Sequence, residues 1–395
     1  MTAPAPSPSA LRSASGIVLT TVFIDLVGFG IVLPILPSYA ARYDVSDAAI
    51  GALVGSFSLM QLLFAPAWGR LSDRIGRRPV LLVGLLGSAV SYLLFAYAGS
   101  FLLLLVSRLV AGAAGATVNV AQAYLADLTP AADRTRVMGR IGAAFGMGFI
   151  LGPAIGGAAS QLGDAGPGLV AAALCAANLG VAWFRLPESR PAGTGVARRV
   201  GHHPALRLQV LAPFAVMFLL TLPFTTIHAT FPLYMERLLG YGRSETALVF
   251  VYLGLLTALV QGWLVGRLAS RLGEVTLMRL GAAGMALGVA GLALAFGARH
   301  PVHRGLPLIL GAITLLALGA GLAAPSVTSH VSRLTPPEDQ GRALGDLQGV
   351  ASLARIVGPP AAGVISEWGG AAWPFAVASG LALLAGLAAL STRPA

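Results

Sequence analysis

The sequence predicts an all-α membrane protein with twelve transmembrane helices, and three observations support this. The chain has 395 residues, of which 56% are hydrophobic and 10% are charged, whereas soluble domains carry about 25% charged residues. Apolar runs of about 20 residues, long enough to span a bilayer, fill most of the chain. The connections between them are short. So few charges cannot cover a soluble fold of this size, which also excludes a separate soluble catalytic domain.

The elements follow in order along the chain. Residues 1–15, rich in Pro, Ser and Ala, are predicted to be a disordered cytoplasmic tail. The twelve predicted spans are 16–38, 47–69, 79–98, 101–126, 137–160, 166–186, 208–234, 245–267, 275–297, 305–329, 341–365 and 370–391. The one long connection predicts a division into an N-terminal six-helix bundle (16–186), a cytoplasmic linker (187–207) and a C-terminal six-helix bundle (208–395).

The basic residues indicate the topology. All 26 are arginines; nineteen fall in segments that are cytoplasmic if the N-terminus is inside, five fall in outer segments, and Arg108 and Arg355 lie inside spans. Cytoplasmic loops carry the excess of positive charge, so we expect a multi-pass protein of the inner (plasma) membrane with both termini cytoplasmic. The scatter of these arginines between apolar spans argues against nucleic acid as the partner of this chain of net charge +11.

An internal repeat relates the two halves. The segment LTPAADRTRVMG (128–139) recurs as LTPPEDQGRALG (334–345), 206 positions later. A second match, at a spacing of 197, pairs GRLSDRIG (69–76) with GRLASRLG (266–273). The halves are therefore predicted to be a duplication in the same orientation.

The loop between spans 2 and 3 reads GRLSDRIGRRPV and resembles the G-x-L-x-D-R-x-G-R-[KR] signature of the major facilitator superfamily. That resemblance implies a fold of two parallel six-helix bundles. It also implies that Asp73 pairs with arginines and with the start of span 11 in a cytoplasmic latch; an acid at a helix N-terminus is favourable by ~0.3–2 kcal/mol. In the second copy Ser270 replaces this acid. The predicted latch residues are Gly69, Arg70, Asp73, Arg74, Gly76, Arg77, Arg78, Arg136 and Arg342.

Span 5 carries a second motif, in GRIGAAFGMGFILGPAIGG. It resembles the signature of antiporters within the same superfamily, and implies an exporter. Small residues on one face let a neighbouring helix approach closely, and a proline bends the helix. The motif residues are Gly139, Gly148, Gly152, Pro153, Gly156 and Gly157.

Spans 1 and 4 supply the candidate proton-coupling residues, Asp25 and Arg108. Their contexts, TVFIDLVGFGIVLPILP and RLVAGAAGA, resemble the first-helix and R-x-x-x-G motifs of the family. At 1.5 Å per residue, Asp25 lies ~14 Å from the cytoplasmic edge and Arg108 ~10 Å from the outer edge. In a core of ~30 Å their depths differ by roughly 6 Å, which side chains or a water can bridge.

The resemblance also implies a central cavity lined by helices 1, 4, 7 and 10. At 100° per residue, one face of span 4 carries a stripe of polar and small residues within about 40° of one another: Arg108, Gly112, Gly115, Asn119 and Gln122. The predicted cavity residues are Asn119, Gln122, Thr221, Thr225, His228 and Ser326. Asp346, Arg355 and His330 receive no role. No metal site and no cofactor are expected.

Part of the chain is similar to tetracycline efflux proteins, notably SLMQLLFAP in span 2. Those proteins usually carry an acid in helix 3, a histidine in helix 8 and an acid in helix 9. The corresponding positions here are Ser91, Thr257 and Met285. Tetracycline–cation exchange by that mechanism is therefore not expected.

The sequence as a whole favours a monomeric secondary transporter that exports a drug-like amphipathic compound in exchange for protons. Its partners would be a small-molecule substrate, protons and the lipid bilayer. The alternative is a proton-coupled importer of a sugar, organic acid or peptide. An enzyme is not expected, because HExxH, GxSxG and DDxxD motifs are absent from the sequence. A receptor or scaffold would have no evident need for charges inside the membrane.

Overall fold

A computed structural model describes residues 8–129, 134–189, 208–297, 302–336 and 339–392. These residues form helices joined by short turns, with no strand among them. The helices are α1 (Pro8–Val32), α2 (Leu36–Ala41), α3 (Asp47–Ile75), α4 (Arg77–Ala96), α5 (Phe101–Gly115), α6 (Val118–Leu128), α7 (Arg134–Ala159), α8 (Gly166–Arg185), α9 (Leu208–Leu239), α10 (Arg243–Leu259), α11 (Val265–Leu272), α12 (Glu274–Gly297), α13 (Val302–Leu334), α14 (Gln340–Gly369) and α15 (Trp373–Ala388).

The helices agree with the predicted all-α membrane architecture. Within the described residues, ten helical segments are long and apolar enough to cross a membrane, and α15 is a shorter apolar helix. The motif-bearing α7 is a further helix of 26 residues. The predicted linker, 187–207, lies mostly outside the described residues.

The structure corrects two predictions of local geometry. Helix α1 begins at Pro8, so residues 8–15 are helical rather than disordered; residues 1–7 lie outside the described part. Span 4 is not one continuous helix, because it breaks at Ala116–Thr117 between α5 and α6. The Thr117 hydroxyl donates to the Ala114 carbonyl oxygen (2.8 Å) at the break, a local bond that competes with the helical pattern. The face predicted to run from Arg108 to Asn119 is interrupted there.

The chain divides into two compact units. The first comprises Met1–Val32 and Leu59–Gly201, and the second comprises Leu33–Ser58 and His202–Ala395. One boundary therefore falls inside α3, whose first turns belong with the C-terminal unit. The division into bundles at 16–186 and 208–395 stays a prediction from the repeat.

The first unit is held together by a regular stripe on α1. Ala14, Val18, Val22 and Leu26 recur every four residues, the spacing of one helix face, and are almost completely buried. They form one core cluster with apolar residues of α4, α6, α7 and α8. This stripe fixes the rotation of α1, and therefore the direction in which neighbouring Asp25 points.

The second unit packs helices closely through glycine. Gly281 and Gly288 of α12 lie against α13, and an added Cβ at Gly319 of α13 would come within 2.4 Å of the Met285 backbone nitrogen. Small residues of this kind let membrane helices approach closely enough for van der Waals contact between backbones.

Candidate functional site

Asp25 lies in the interior of the first unit, on α1. The Ser88 hydroxyl of α4 donates a hydrogen bond to its Oδ1 (3.0 Å). Both residues line a small cavity of about 10 Å³, together with Thr21, Thr117 and apolar side chains of α1, α4 and α6. That volume is close to the space one water occupies, ~10–15 Å³, and the lining offers several polar partners. The arrangement can hold a proton, or a proton carried by a water.

The glycines of the antiporter-like motif pack directly on the helix that carries Asp25. An added Cβ at Gly148 would lie 2.7 Å from Leu26 Cβ, one at Gly152 would lie 2.5 Å from Gly30 Cα, and one at Gly156 would lie 2.6 Å from the Ile31 carbonyl oxygen. Real Cβ atoms do not approach other heavy atoms this closely. These glycines therefore set the distance between α7 and α1.

The rest of the motif has the following positions. Pro153 lies inside α7, and both Pro153 and Gly157 are buried. Gly139 lies in the first turns of α7, in a stretch whose side-chain environment is not described.

Arg108 is buried, at 3% exposure, and has aromatic neighbours. Its guanidinium carbon lies 5.2 Å from the centroid of the Phe95 ring and 5.9 Å from that of Tyr92, within the range of cation–π attraction. Its Nε donates to Ser107 Oγ (3.3 Å), while its Nη2 is buried without a hydrogen-bond partner among the described residues. No ion pair joins it to Asp25 in the part of the chain described, so the bridge allowed by their depths is not formed in this structure.

Tyr92 is a site residue that sequence reasoning missed. It lies one helical turn after Ser88, and its hydroxyl occupies the space where a Cβ of Gly28 would be. The ring thus lies between the turn of α1 that follows Asp25 and the guanidinium of Arg108. The signal was the i, i+4 spacing of Ser88 and Tyr92 on α4.

Asn178 of α8 is a second missed residue. It is buried, at 3% exposure, and its Oδ1 accepts from Thr21 Oγ1 (3.4 Å), one turn before Asp25. Its Nδ2 has no partner among the described residues. One asparagine in an apolar run gave no spacing signal from which its contact with α1 could be predicted.

The predicted latch centres on Arg77, the first residue of α4. Its side chain is buried, pairs with Asp73 (2.7 Å) and Asp127 (3.3 Å), and donates to Ser72 Oγ. Gly76 before it has φ of 101°, a conformation that favours glycine. The predicted contact of Asp73 with span 11 stays a prediction, because that span lies in the other unit.

Glu188 completes this corner, and sequence reasoning missed it. Its carboxylate accepts from the backbone N–H groups of Arg77 (2.8 Å) and Arg78 (3.1 Å), which begin α4. An acid at a helix N-terminus satisfies free N–H groups and complements the helix dipole. Glu188 follows α8, about 110 residues further along the chain, so no local motif reveals it.

The other predicted latch residues are placed less tightly. Gly69 is half-buried, and Arg70 and Arg74 are exposed. Arg78 donates to the Trp183 carbonyl oxygen (2.6 Å). Arg342 pairs with Asp346 of its own helix (3.8 Å). Arg136 lies in α7, where its side chain is not described.

The predicted substrate-cavity residues differ in their surroundings. Thr225 and Ser326 are buried. Each hydroxyl donates to a carbonyl oxygen of its own helix, Thr225 to that of Leu222 and Ser326 to that of Leu322. His228 is buried, and its Nδ1 lies 2.9 Å from the Phe224 carbonyl oxygen. Three further residues are more accessible: Asn119 is exposed, and Gln122 and Thr221 are half-buried. A shared substrate cavity for these six residues stays a prediction.

Comparison with known proteins places this geometry in a family. The model of the Major Facilitator Superfamily matches residues 18–304 and 302–395. The class C tetracycline resistance protein of Escherichia coli is 34% identical over 372 residues, covering 90% of this chain and 92% of the relative. Multidrug resistance protein 1 of Bacillus subtilis is 28% identical, with 89% of each chain covered.

Solved structures agree with this. The human organic anion transporter MFSD10 has 28% sequence identity and a TM-score of 0.69, over 97% of this chain and 100% of that one. A bacterial homologue of the lysosomal transporter Spinster has a TM-score of 0.76 over 98% and 97% of the two chains; at 15% identity it supports the fold alone. The chain is a member of the major facilitator superfamily, a multi-pass membrane transporter and not an enzyme.

Proposed function

We propose that the protein exports a drug-like amphipathic compound in exchange for protons, by alternating access, and that Asp25 carries the proton. The observation behind the proposal is the position of Asp25. Among the described spans it is the one acid far from a helix end, it is hydrogen-bonded to Ser88 (3.0 Å), and it borders a water-sized cavity. The direction of transport is supported by relatives named for tetracycline and multidrug resistance.

The proton step follows from the cost of burying charge. A carboxylate without a counter-charge is expensive to bury in an apolar interior, so Asp25 binds a proton before its surroundings close. Ser88 holds one carboxyl oxygen in place, and the hydroxyls of Thr21 and Thr117 make the cavity polar enough for a water that delivers the proton. Ionisable groups inside membrane spans mark proton relays in transporters.

Arg108 and the motif glycines have supporting roles in this proposal. The guanidinium of Arg108 is held by Phe95 and Tyr92 until the Asp25 carboxyl loses its proton, and then becomes its counter-charge. The contacts of Gly152 and Gly156 allow α7 and α1 to move as one body, so that a change at Asp25 reaches the cytoplasmic end of the unit through α7. The latch around Arg77 and Asp73 holds that end in one of the two states.

The topology proposed with this function rests on the arginine distribution. The chain acts as a monomer in the lipid bilayer of the inner membrane, with both termini in the cytoplasm. Alkaline-phosphatase and green-fluorescent-protein fusions at the C-terminus test the orientation. Fluorescence of the second fusion and inactivity of the first are expected, and the reverse result would contradict the topology.

The test of transport uses inverted membrane vesicles energised by a proton gradient, with norfloxacin and tetracycline as probes. Wild-type vesicles should accumulate a probe only while the gradient is present, and Asp25→Asn should abolish this accumulation. Asp164→Asn, at an exposed position outside the spans, is the matched control and should retain it. Full gradient-driven transport by Asp25→Asn would rule out the assignment, and movement of probe in the opposite direction would favour an importer.

A further inference from the structure

Arg355, like Arg108, is a cation deep in a candidate membrane span that has no counter-charge among the described residues. Arg355 occupies the middle of α14 (Gln340–Gly369), a candidate membrane span. At 1.5 Å per residue, it is about 22 Å from either end of the helix. Its side chain is too short to reach a headgroup region from the centre of a ~30 Å core. An arginine at this depth is costly, and is expected to face a partner or a water-filled path.

The partners of Arg355 do not neutralise it. Its Nη2 donates to Ser352 Oγ on the preceding turn (2.8 Å), and the side chain is half-buried. No acidic side chain lies within ion-pairing distance among the described residues. The nearest acid before it on its own helix, Asp346, lies nine positions away and pairs with Arg342 (3.8 Å). A hydroxyl satisfies one donor of a guanidinium that has five and carries a full charge.

The surroundings of Arg355 place it beside the predicted substrate residues of α9. Gly358, one turn further along α14, packs against Thr225 Oγ1. Spans 7 and 11, which contain α9 and α14, run in the same direction in the predicted topology. Because Gly358 is level with Thr225, Arg355 lies at about the depth of Thr221. Thr221 is also half-buried, so a neutral hydrogen-bonding side chain and an unneutralised cation, both partly accessible, lie at one level.

The balance of charge within the described spans points the same way. Arg108 and Arg355 are the two cations deep in spans, and Asp25 is the one acid at such depth. One negative group cannot neutralise both. Buried charges are expected to be paired, and the pairing that is missing among the described residues can come from the compound that the protein carries.

We propose that Arg355 binds an anionic group of the transported compound, so that the substrates of this protein are amphipathic organic anions or zwitterions with a carboxylate, phenolate or enolate group. The assignment rests on the proposed transport function. Guanidinium binds such groups through parallel, charge-assisted hydrogen bonds. Ser352 orients the guanidinium from one side and leaves its other donors for the substrate.

The test measures ligand-induced thermal stabilisation of the purified full chain in detergent. Three matched pairs serve as probes: norfloxacin and its ethyl ester, salicylate and salicylamide, and 1-naphthoate and 1-naphthamide. In the wild type, at least one carboxylate should bind about tenfold or more tightly than its counterpart without the carboxylate, the equivalent of one charge-assisted contact. Arg355→Gln should remove this preference, whereas Arg355→Lys should keep it at lower affinity. Arg271→Gln, at an exposed arginine of α11, should bind as the wild type does.

Two results would overturn the proposal: no carboxylate of the three is preferred by the wild type, or Arg355→Gln keeps the preference. If Arg355→Gln fails to fold, as judged by size-exclusion chromatography, the Arg355→Lys variant decides the test. Loss of the carboxylate preference in this variant, which keeps the positive charge, would contradict the proposal. The assay needs no proton gradient, so its outcome is separate from that of the transport test. Asp25→Asn should retain the carboxylate preference even where it abolishes coupled transport.

Discussion

The two copies of the repeated loop have a similar backbone conformation at their last glycine, but the acidic and basic members of the ion pair that follows are reversed. In the first copy, Gly76 has φ of 101° and precedes buried Arg77, which pairs with Asp127 (3.3 Å). In the second copy, Gly273 has φ of 77° and precedes Glu274, which pairs with Arg333 (2.9 Å). The repeat spacings of 197 and 206 align Arg77 with Glu274, and Asp127 with Arg333.

The comparison separates what the loop needs from what it can vary. The left-handed glycine and an ion pair between the next helix start and the end of span 4 or 10 occur in both copies. The basic and acidic members of this ion pair exchange places between the two copies. The acid of the first loop, Asp73, does not recur either, because Ser270 replaces it and donates to the Arg267 carbonyl oxygen of its own helix (2.9 Å). The ion pair at the helix start is therefore a feature common to both loop copies, whereas Asp73 and Glu188 are features of the first copy.

Exchanging the two charges within each ion pair should destabilise the protein strongly in the first copy and only slightly in the second. Arg77→Glu with Asp127→Arg keeps that pair but places a buried carboxylate beside Asp73 and Glu188, and this like-charge contact should cost about 3 kcal/mol. Glu274→Arg with Arg333→Glu meets no such acids and should cost about 1 kcal/mol or less, since Arg333 is largely exposed. Thermal unfolding in detergent measures both. Equal losses would show that the acids around Arg77 do not define the first copy.

A glycine pair extends the comparison to helix packing. Gly152 and Gly358 align at the spacing of 206, but an added Cβ would meet backbone at Gly30 (2.5 Å) in the first case and the Thr225 side chain in the second. Gly152→Ala should therefore cost about 1–3 kcal/mol through overpacking, and Gly358→Ala less, because a side chain can move. Unfolding midpoints of the two variants measure the difference. A larger loss for Gly358→Ala would contradict the reading of α7 as rigidly packed on α1.

The smallest effect is expected at the start of α4 in the first copy, where the distant acid Glu188 caps the helix. Glu188→Ala removes the acceptor for the Arg77 and Arg78 N–H groups and should cost about 1 kcal/mol, the usual loss for a helix cap. Glu188→Gln should recover about half, since it keeps an acceptor oxygen. The same unfolding assay applies, and an unchanged midpoint for the alanine variant would remove the capping role.

The fold could be predicted from the sequence because its signals are local patterns, one of which recurs in the second half of the chain. Apolar length predicted the spans, and the glycine spacing of α7 predicted a face for close packing. What could not be predicted depends on pairing between distant segments: Glu188 capping α4, Asn178 reaching Thr21, and Tyr92 filling the space beside Gly28. The break at Ala116–Thr117 was missed because a regular 100° rotation per residue assumes a continuous helix.

The sequence predicted two residues of the candidate site but not the contacts that they make. Asp25 and Arg108 are the charges expected within the spans, half-buried and buried respectively, yet Arg108 packs on Phe95 and Tyr92 rather than pairing with Asp25. Depth along a helix axis follows from residue number, whereas the direction of a side chain depends on the packing of its neighbours. The stripe from Ala14 to Leu26 fixes that direction for Asp25 and turns it toward Ser88.

Proton release on substrate binding tests the central claim most directly. Purified protein in weakly buffered detergent solution is mixed with norfloxacin, and a pH indicator records the protons released. In the proposed exchange Asp25 carries the proton, and substrate binding is expected to displace that proton. The wild type should therefore release protons, and Asp25→Asn should release none while still binding the probe. Equal proton release by the wild type and Asp25→Asn would contradict the account.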